Sequence, residues 1–190
     1  MKHFLLVAPL AIAFGLPASA NDYETRMKTY LESEIMGWAQ DQVLLDAIRN
    51  QNSQTADYTQ EEIDALDTAW RAEVALSDRP TIAPVLENAA SDFLRERVAA
   101  AGGTMTEVFV MDARGLNVAA SAVTSDYWQG DEEKFSETFP KGPEAVHFGE
   151  VELDESSQTY QGQISIPIVD PVSNAVLGAM TIGINAESLF

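Results

Sequence analysis

The chain has 190 residues, 11 basic against 30 acidic side chains, and no cysteine. Its formal net charge of −19 argues against nucleic acid as a partner, because phosphates are bound by lysine and arginine. The same charge argues against an anionic membrane surface. The lack of cysteine excludes disulfides, thiol catalysis and cysteine-based zinc sites. The length suits a single domain with a sizeable core.

The first twenty residues have the pattern of a secretory signal peptide. Lys2 and His3 precede an apolar run over residues 4–16, which has the length of a signal h-region. That run is too short for a membrane-spanning helix, and no later segment is as apolar over a longer stretch. Ala18-Ser19-Ala20 is an A-x-A cleavage site. We therefore expect a periplasmic or secreted domain over residues 21–190, with no membrane insertion.

The acidity of this mature chain has two explanations. It is either an adaptation to solubility or high salt, or an acidic site for a cationic partner. Net charge carries no information about the fold and leaves both explanations open.

Helical patterns fill the first half of the mature chain. Apolar residues recur at three- and four-residue steps over 22–52, which predicts one long first helix. A polar loop is predicted over 50–58. Thr59 and Glu62 then form a capping box that begins a second helix. Pro84 suits the first turn of a third helix.

Strand-like patterns begin after Gly102-Gly103. The apolar run 108–111 and the alternating run 116–120 lie on either side of Asp112-Ala113-Arg114-Gly115, whose residues favour a type I turn. The further predicted elements are a short helix over 132–139 and strands over 145–153, 159–169 and 176–185. Helices followed by strands predict an α+β fold, with helices packed on an antiparallel sheet of about five strands.

Four segments together resemble the single Cache domains, which are PAS-like, PDC-type extracytoplasmic sensor modules of bacterial receptors. They are VFVMDARGLNVAAS (108–121), DYWQGDE (126–132), ISIPIVD (164–170) and VLGAMTIGI (176–184). The long first helix fits the same family. The resemblance covers nearly all of residues 21–190. It implies a pocket between the sheet and the loops above it, which holds a small polar metabolite such as an amine or a carboxylate.

The sequence departs from this family in two ways. Amino-acid-sensing members place an arginine two residues before a tryptophan and an aromatic residue just after it. Around Trp128 these positions hold Asp126 and Gln129, so the usual carboxylate anchor is missing and a cationic or neutral polar ligand is favoured. A receptor would also continue past Phe190 into a membrane helix and a signalling domain. We therefore expect a sensor that acts through a partner receptor or kinase.

Seven residues are candidates for ligand binding. They are Tyr127, Trp128, Gln129, Asp131, Tyr160, Gln163 and Ser165.

Each candidate has an alternative role. The rings of Tyr127 and Trp128 either stack on a ligand or pin the loop as core aromatics. Asp131 either holds an amine or a Ca²⁺ ion, or caps the helix that follows. Gln163 and Ser165 share one strand face, which is either a pocket floor or solvated.

The sequence predicts no enzyme activity, no cofactor and no metal site. His147 is the only histidine beyond the signal segment, and no nucleophile, zinc or phosphate-loop motif is present. Asp112 and Arg114, in the tight turn, are expected to be structural. The alternative function is a ligand-free interaction module that forms a homodimer through the long first helix, with Ile35 and Trp38 at the contact.

Overall fold

The computed structural model describes residues 20–154 and 159–190, so the predicted signal peptide lies outside the described residues apart from Ala20. The helices are α1 (Ala20–Tyr30), α2 (Gln42–Thr55), α3 (Gln60–Glu73), α4 (Ala83–Leu86), α5 (Ala89–Ala100) and α6 (Glu133–Ser136). The strands are β1 (Met105–Met111), β2 (Asn117–Ala120), β3 (His147–Phe148), β4 (Glu152–Asp154), β5 (Thr159–Val169) and β6 (Val176–Asn185). None of the helices in these two ranges is long and apolar enough to cross a membrane.

All strand pairs are antiparallel, in the order β2-β1-β6-β5-β3. β4 pairs with β5 on the same edge as β3, so β3 and β4 occupy successive parts of one position in the sheet. The sheet is therefore five positions wide with the strand order of a PAS-like fold. The predicted α+β class and the predicted PAS-like sheet are confirmed.

The central hairpin has the predicted turn. The backbone N–H of Gly115 donates to the carbonyl of Asp112 at 3.1 Å. Gly115 has a φ of 79°, a left-handed conformation that glycine adopts without steric cost. A Cβ atom on Gly115 would also lie 2.6 Å from the Cα of Gly130. The glycine therefore lets the loop after β2 pack directly on the hairpin.

The predicted single helix over 22–52 is divided into two. α1 continues through a π-helical turn, Leu31–Ile35, and α2 begins only after Asp41. The Asp41 carboxylate accepts a hydrogen bond from the N–H of Val43 at 3.0 Å and caps α2. The apolar pattern continues across the break because Ala39 is still buried in the core. α2 also extends to Thr55, so most of the loop predicted over 50–58 is helical.

Two other predicted elements are also divided. Pro84 lies in the first turn of α4, but Asn88 then caps a separate helix, α5, by accepting from the N–H of Ser91 at 2.9 Å. The strand predicted over 145–153 is the pair β3 and β4. The strands predicted over 159–169 and 176–185 match β5 and β6.

The two faces of the sheet have different surroundings. Most even-numbered residues in the middle of β1, β5 and β6, such as Val108, Ile164 and Ile182, are buried against α1, α2 and α5 in the main core. Part of the odd-numbered face is covered by a second, smaller hydrophobic cluster that includes Phe109, Met111 and Phe135 of α6, and beyond this cluster the face carries Glu107 and Gln163. This alternation follows from the period of two along a strand, and it leaves the part of the odd-numbered face beyond the second cluster open to form a site.

Candidate functional site

A broad cleft of about 1210 Å³ lies over the odd-numbered face of the sheet. Its floor includes Glu107 and Phe109 on β1 with Gln161 and Gln163 on β5. Three segments form the walls, namely the loop after β2, the chain leading into α6, and the edge formed by β3 and β4. The lining residues in these walls are Ala122–Ser125, Gln129, Asp131–Lys134, His147, Gly149, Glu150 and Glu152.

Three of the seven predicted ligand residues border this cleft, namely Gln129, Asp131 and Gln163. Gln129 is only 2% exposed, and its Nε2 donates to the carbonyl of Asp126 at 3.0 Å. Asp131 is exposed at the rim. Its alternative role as a helix cap is not observed, since Glu132 occupies the N-cap position of α6.

Tyr127 and Trp128 do not border the cleft. The ring of Tyr127 stacks on Trp70, with the centroids 5.2 Å apart, and burial raises the pKa of its hydroxyl. The Nε1 of Trp128 donates to the carbonyl of Arg114 at 2.9 Å, and the indole packs against Gly130. Both rings therefore take the second of their predicted roles and pin the loop to the hairpin and to α3.

Asp67 on α3 completes this anchor. Its Oδ1 accepts from the backbone N–H groups of Tyr127 and Trp128 at 2.9 and 3.1 Å. Its Oδ2 lies 2.7 Å from Nε of Arg71, whose Nη2 also lies 3.2 Å from the Asp126 carboxylate. Asp126 is therefore paired with a helix residue, and the start of the loop is held by α3.

The Asp112 carboxylate has the structural role that its turn position predicts. Its Oδ1 accepts from the N–H groups of Arg114 and Leu116 at 2.8 and 3.0 Å. Its Oδ2 accepts from Thr55 Oγ1 at 2.8 Å and from Gln51 Nε2 at 3.1 Å. The group is fully buried, and these bonds join α2 to the turn. A buried carboxylate requires such partners.

Tyr160 and Ser165 also lie away from the cleft lining. Tyr160 is 50% exposed on β5. Ser165 shares the strand face of Gln163 but is fully buried, and its Oγ lies 3.0 Å from Oγ1 of Thr181. The strand face was predicted correctly, but burial separates Ser165 from the open part of that face.

The lining of the cleft is strongly acidic. Among the described residues, its six carboxylates belong to Glu107, Asp131, Glu132, Glu133, Glu150 and Glu152. Lys134, the one lysine in this set, has its Nζ 2.8 Å from Glu132 Oε2. The Nε2 of His147 lies 3.9 Å from Oε2 of Glu133. The one lysine of the described lining is therefore already paired with an acid of the same wall.

The carboxylates do not converge on one point. Within residues 20–154 and 159–190, no group of three or more histidine, aspartate or glutamate side chains is arranged to hold a metal ion. The acidic groups instead lie around a wide opening.

Sequence reasoning missed most of the lining residues. Glu107 and Gln163 both pair with Gly183 of β6, so they lie on one face of the sheet. A Cβ atom on Gly183 would lie 2.4 Å from Thr106 Oγ1 and 2.9 Å from Glu107 Cγ. The space that a side chain at Gly183 would fill is therefore occupied by side chains of the neighbouring strand β1.

The chain matches no protein-family model and no curated protein. Solved structures with a similar fold include the sensor domain of the Vibrio cholerae histidine kinase DctB, with 13% identity and a TM-score of 0.46. The ligand-binding domain of the Campylobacter jejuni chemoreceptor Tlp3, in complex with 4-methylisoleucine, has 15% identity and a TM-score of 0.42.

These matches cover 90% and 88% of this chain but only 57% and 61% of the DctB and Tlp3 chains. A third match is the ligand-binding domain of the Pseudomonas aeruginosa amino acid chemoreceptor PctC in complex with GABA, with 16% identity and a TM-score of 0.38. It covers 77% of this chain and 60% of that chain. All three of these proteins are sensor or ligand-binding domains.

Proposed function

We propose that this chain is an exported, Cache-type sensor domain that binds a small polar metabolite in the cleft over its sheet. The observation that carries the proposal is the cleft itself. It lies on the part of the odd-numbered sheet face that the two hydrophobic clusters leave open, and polar residues from three separate segments line it. Concave sites of this kind, with a few converging polar groups, are typical of small-molecule binding.

The loop that supplies one wall is held in place before any ligand arrives. Asp67 binds two of its backbone N–H groups, and Trp128 binds the carbonyl of Arg114 in the hairpin turn. Gln129 follows directly and borders the cleft. A preformed wall reduces the entropy lost on binding, which favours recognition of a small ligand.

The alternative function, dimerisation through the first helix, finds less support. Met27, Leu31 and Ile35 are buried in the core of the chain itself, so the apolar stripe is already used. Trp38 packs edge-on against Phe93 of α5, with the ring centroids 6.1 Å apart. A homodimer and a partner receptor or kinase stay predictions of the sequence.

Native mass spectrometry of residues 21–190, purified gently from an exporting host, tests ligand binding directly. We expect an extra small-molecule mass that disappears when the protein is denatured. A bare chain would be followed by a thermal-shift screen of amines, carboxylates, amino acids and divalent cations. Binding to the native state raises the melting temperature because it adds RT ln(1 + [L]/Kd) to the stability.

A matched pair of variants then assigns the site. Gln163→Ala removes a polar group of the cleft floor, whereas Gln54→Ala removes an exposed glutamine of α2 outside it. The proposal expects the ligand-induced shift to fall only in the first variant. No shift with any compound in the screen, or an equal loss in both variants, would contradict it.

A further inference from the structure

We propose that helix α3 controls the shape of the cleft, with Asp67 and Trp70 as the positioning residues that join this helix to one cleft wall. The wall is the segment over residues 122–128, which follows β2. A displacement of α3 moves this wall and so changes the affinity of the site. The inference rests on the proposed function and goes beyond it, since it names the element that regulates the site.

α3 packs outside the main core. In the described part of the chain, none of the buried residues of that core lies in α3. Trp70 of α3 is instead fully buried in a smaller cluster with Ile82 and Val85, against which Val123 and Tyr127 pack. Regions that are packed separately can open separately. The position of α3 can therefore change while the helices that cover the sheet stay in place.

Trp70 holds the middle of the wall. Its indole N–H donates to the carbonyl of Thr124 at 2.8 Å, and Val123 packs against the Trp70 cluster. Thr124 and Val123 both border the cleft. The bond is buried, so breaking it would leave a donor and an acceptor without partners at a cost in free energy. The lining part of the wall is therefore held to α3.

Asp67 holds the end of the same wall. Its carboxylate accepts from the backbone N–H groups of Tyr127 and Trp128 at 2.9 and 3.1 Å, and Arg71 pairs with both Asp67 and Asp126. The opposite wall, formed by β3 and β4, is held by β5 instead. α3 and the wall over 122–128 should therefore move as one unit relative to the opposite wall.

Glu73 provides a matched comparison on the same helix. Its carboxylate accepts from the backbone N–H groups of Thr81 and Ile82 at 2.8 and 3.1 Å, which is the same chemistry as at Asp67. Neither Thr81 nor Ile82 is among the described residues that line the cleft. Removal of either carboxylate detaches α3 from a loop, but only the removal of Asp67 releases the cleft wall.

Fluorine NMR of the ligand-free chain, residues 21–190, tests the inference. The sequence contains no cysteine, so one introduced cysteine carries a unique trifluoromethyl tag. Ser125→Cys places the tag on the wall that α3 holds, and Glu150→Cys places it on the opposite wall. Both positions are exposed, so the tag fits without repacking. Each tag is recorded alone and together with Asp67→Ala or Glu73→Ala.

We expect Asp67→Ala to give a second signal from the tag at position 125, with about 10% of the intensity or more, because a displaced wall becomes populated. The tag at position 150 should keep one signal, and Glu73→Ala should leave both tags unchanged. Equal changes at both tags, or an equal change in Glu73→Ala, would overturn the inference.

Trp70→Phe provides a second variant, since it keeps a ring in the cluster and removes the N–H donor to Thr124. It should also give a second signal at position 125, and it decides if the melting temperature shows that Asp67→Ala does not fold. An unchanged tag at position 125 in every folded variant of Asp67 and Trp70 would overturn the inference.

The ligand-free spectra separate this inference from the proposed function. A compound that raises the melting temperature in the screen should bind Asp67→Ala about 5-fold or more weakly, and Glu73→Ala within about 2-fold of the wild-type chain. Equal losses would overturn the control by α3 and leave ligand binding intact. A wall that responds to Asp67→Ala in a chain that binds no compound would overturn the proposed function and leave the coupling between α3 and the wall intact.

Discussion

The two faces of the sheet are formed by the same strands, yet their surroundings are opposite. Ile164 and Ile182 are fully buried in the main core under three helices, whereas the adjacent residues Gln163 and Gly183 belong to the cleft face. A step of one residue along a strand separates the two environments. Stability and ligand binding should therefore be separable by substituting neighbouring residues of one strand.

The largest expected contrast is between Ile164→Ala and Gln163→Ala on β5. Ile164 is fully buried, so its truncation leaves a cavity and should lower the free energy of unfolding by about 2–5 kcal/mol. Gln163 is only partly buried, and its truncation should cost less than about 1 kcal/mol while it weakens ligand binding. Urea unfolding of the two variants measures the difference. Similar losses of stability would show that both faces are core.

A second contrast is between Gly178→Ala and Gly183→Ala on β6. A Cβ atom at 178 would lie 2.0 Å from the Met111 carbonyl oxygen, a backbone atom that moves only with the strand. At 183 the nearest atom would be Thr106 Oγ1 at 2.4 Å, on a side chain that can rotate. We expect a loss of about 2–3 kcal/mol at 178 and about 1 kcal/mol at 183.

Ligand affinity distinguishes the two glycine variants further. Gly183→Ala should reduce binding because it displaces side chains of the cleft floor. Gly178→Ala should leave the affinity of the remaining folded protein unchanged. Thermal unfolding with and without ligand measures both quantities, and a larger loss of stability at 183 than at 178 would contradict the packing described here.

The smallest effect on stability is expected at the ion pair between Arg49 of α2 and Asp170 in the turn between β5 and β6. The hydrogen bond from Arg49, at 2.8 Å, and those from the N–H groups of Ser173 and Val172 lower the pKa of Asp170 to about 2. The pKa in the unfolded chain is about 3.9. Because the pKa of Asp170 is lower in the folded chain than in the unfolded chain, the ionised carboxylate stabilises the fold above about pH 4. This stabilisation is lost as the pH falls from about 4 to about 2.

Asp170→Asn should therefore be less stable than the wild-type chain at pH 7. The difference in stability between the variant and the wild-type chain should shrink as the pH falls towards 2, because the wild-type carboxylate is then protonated and, like the asparagine side chain, carries no charge. Urea midpoints across this pH range measure the difference. A difference in stability that stays constant across this pH range would mean that the charge of Asp170 does not contribute to the stability of the fold.

Local chemistry made the hairpin and the last two strands predictable. Asp112 and Gly115 specify the turn by themselves, since one accepts local N–H groups and the other adopts a positive φ. In β5 the isoleucines at 164, 166 and 168 alternate with other residues, and turn residues over 170–174 lie between β5 and β6, so the bounds of both strands could be predicted from the sequence.

Long-range contacts explain what could not be predicted. The break between α1 and α2 is marked by the Asp41 cap, but the apolar periodicity across it concealed the signal. The rings of Tyr127 and Trp128 were placed in the site because nothing local shows that Trp70 and Asp67 bind this loop. The acids on β4 and beside α6 come together only once the sheet has formed.

The claim that one face of the sheet binds the ligand is tested most directly by ¹H–¹⁵N NMR spectra. The side-chain amide signals of glutamine are recorded while the best ligand of the screen is added to residues 21–190. Gln129 and Gln163 border the cleft, whereas Gln54 and Gln60 lie exposed on α2 and α3. We predict that the signals of Gln129 and Gln163 shift with ligand concentration and that those of Gln54 and Gln60 do not. Shifts confined to Gln54 and Gln60 would place the ligand outside the cleft and contradict the proposed site.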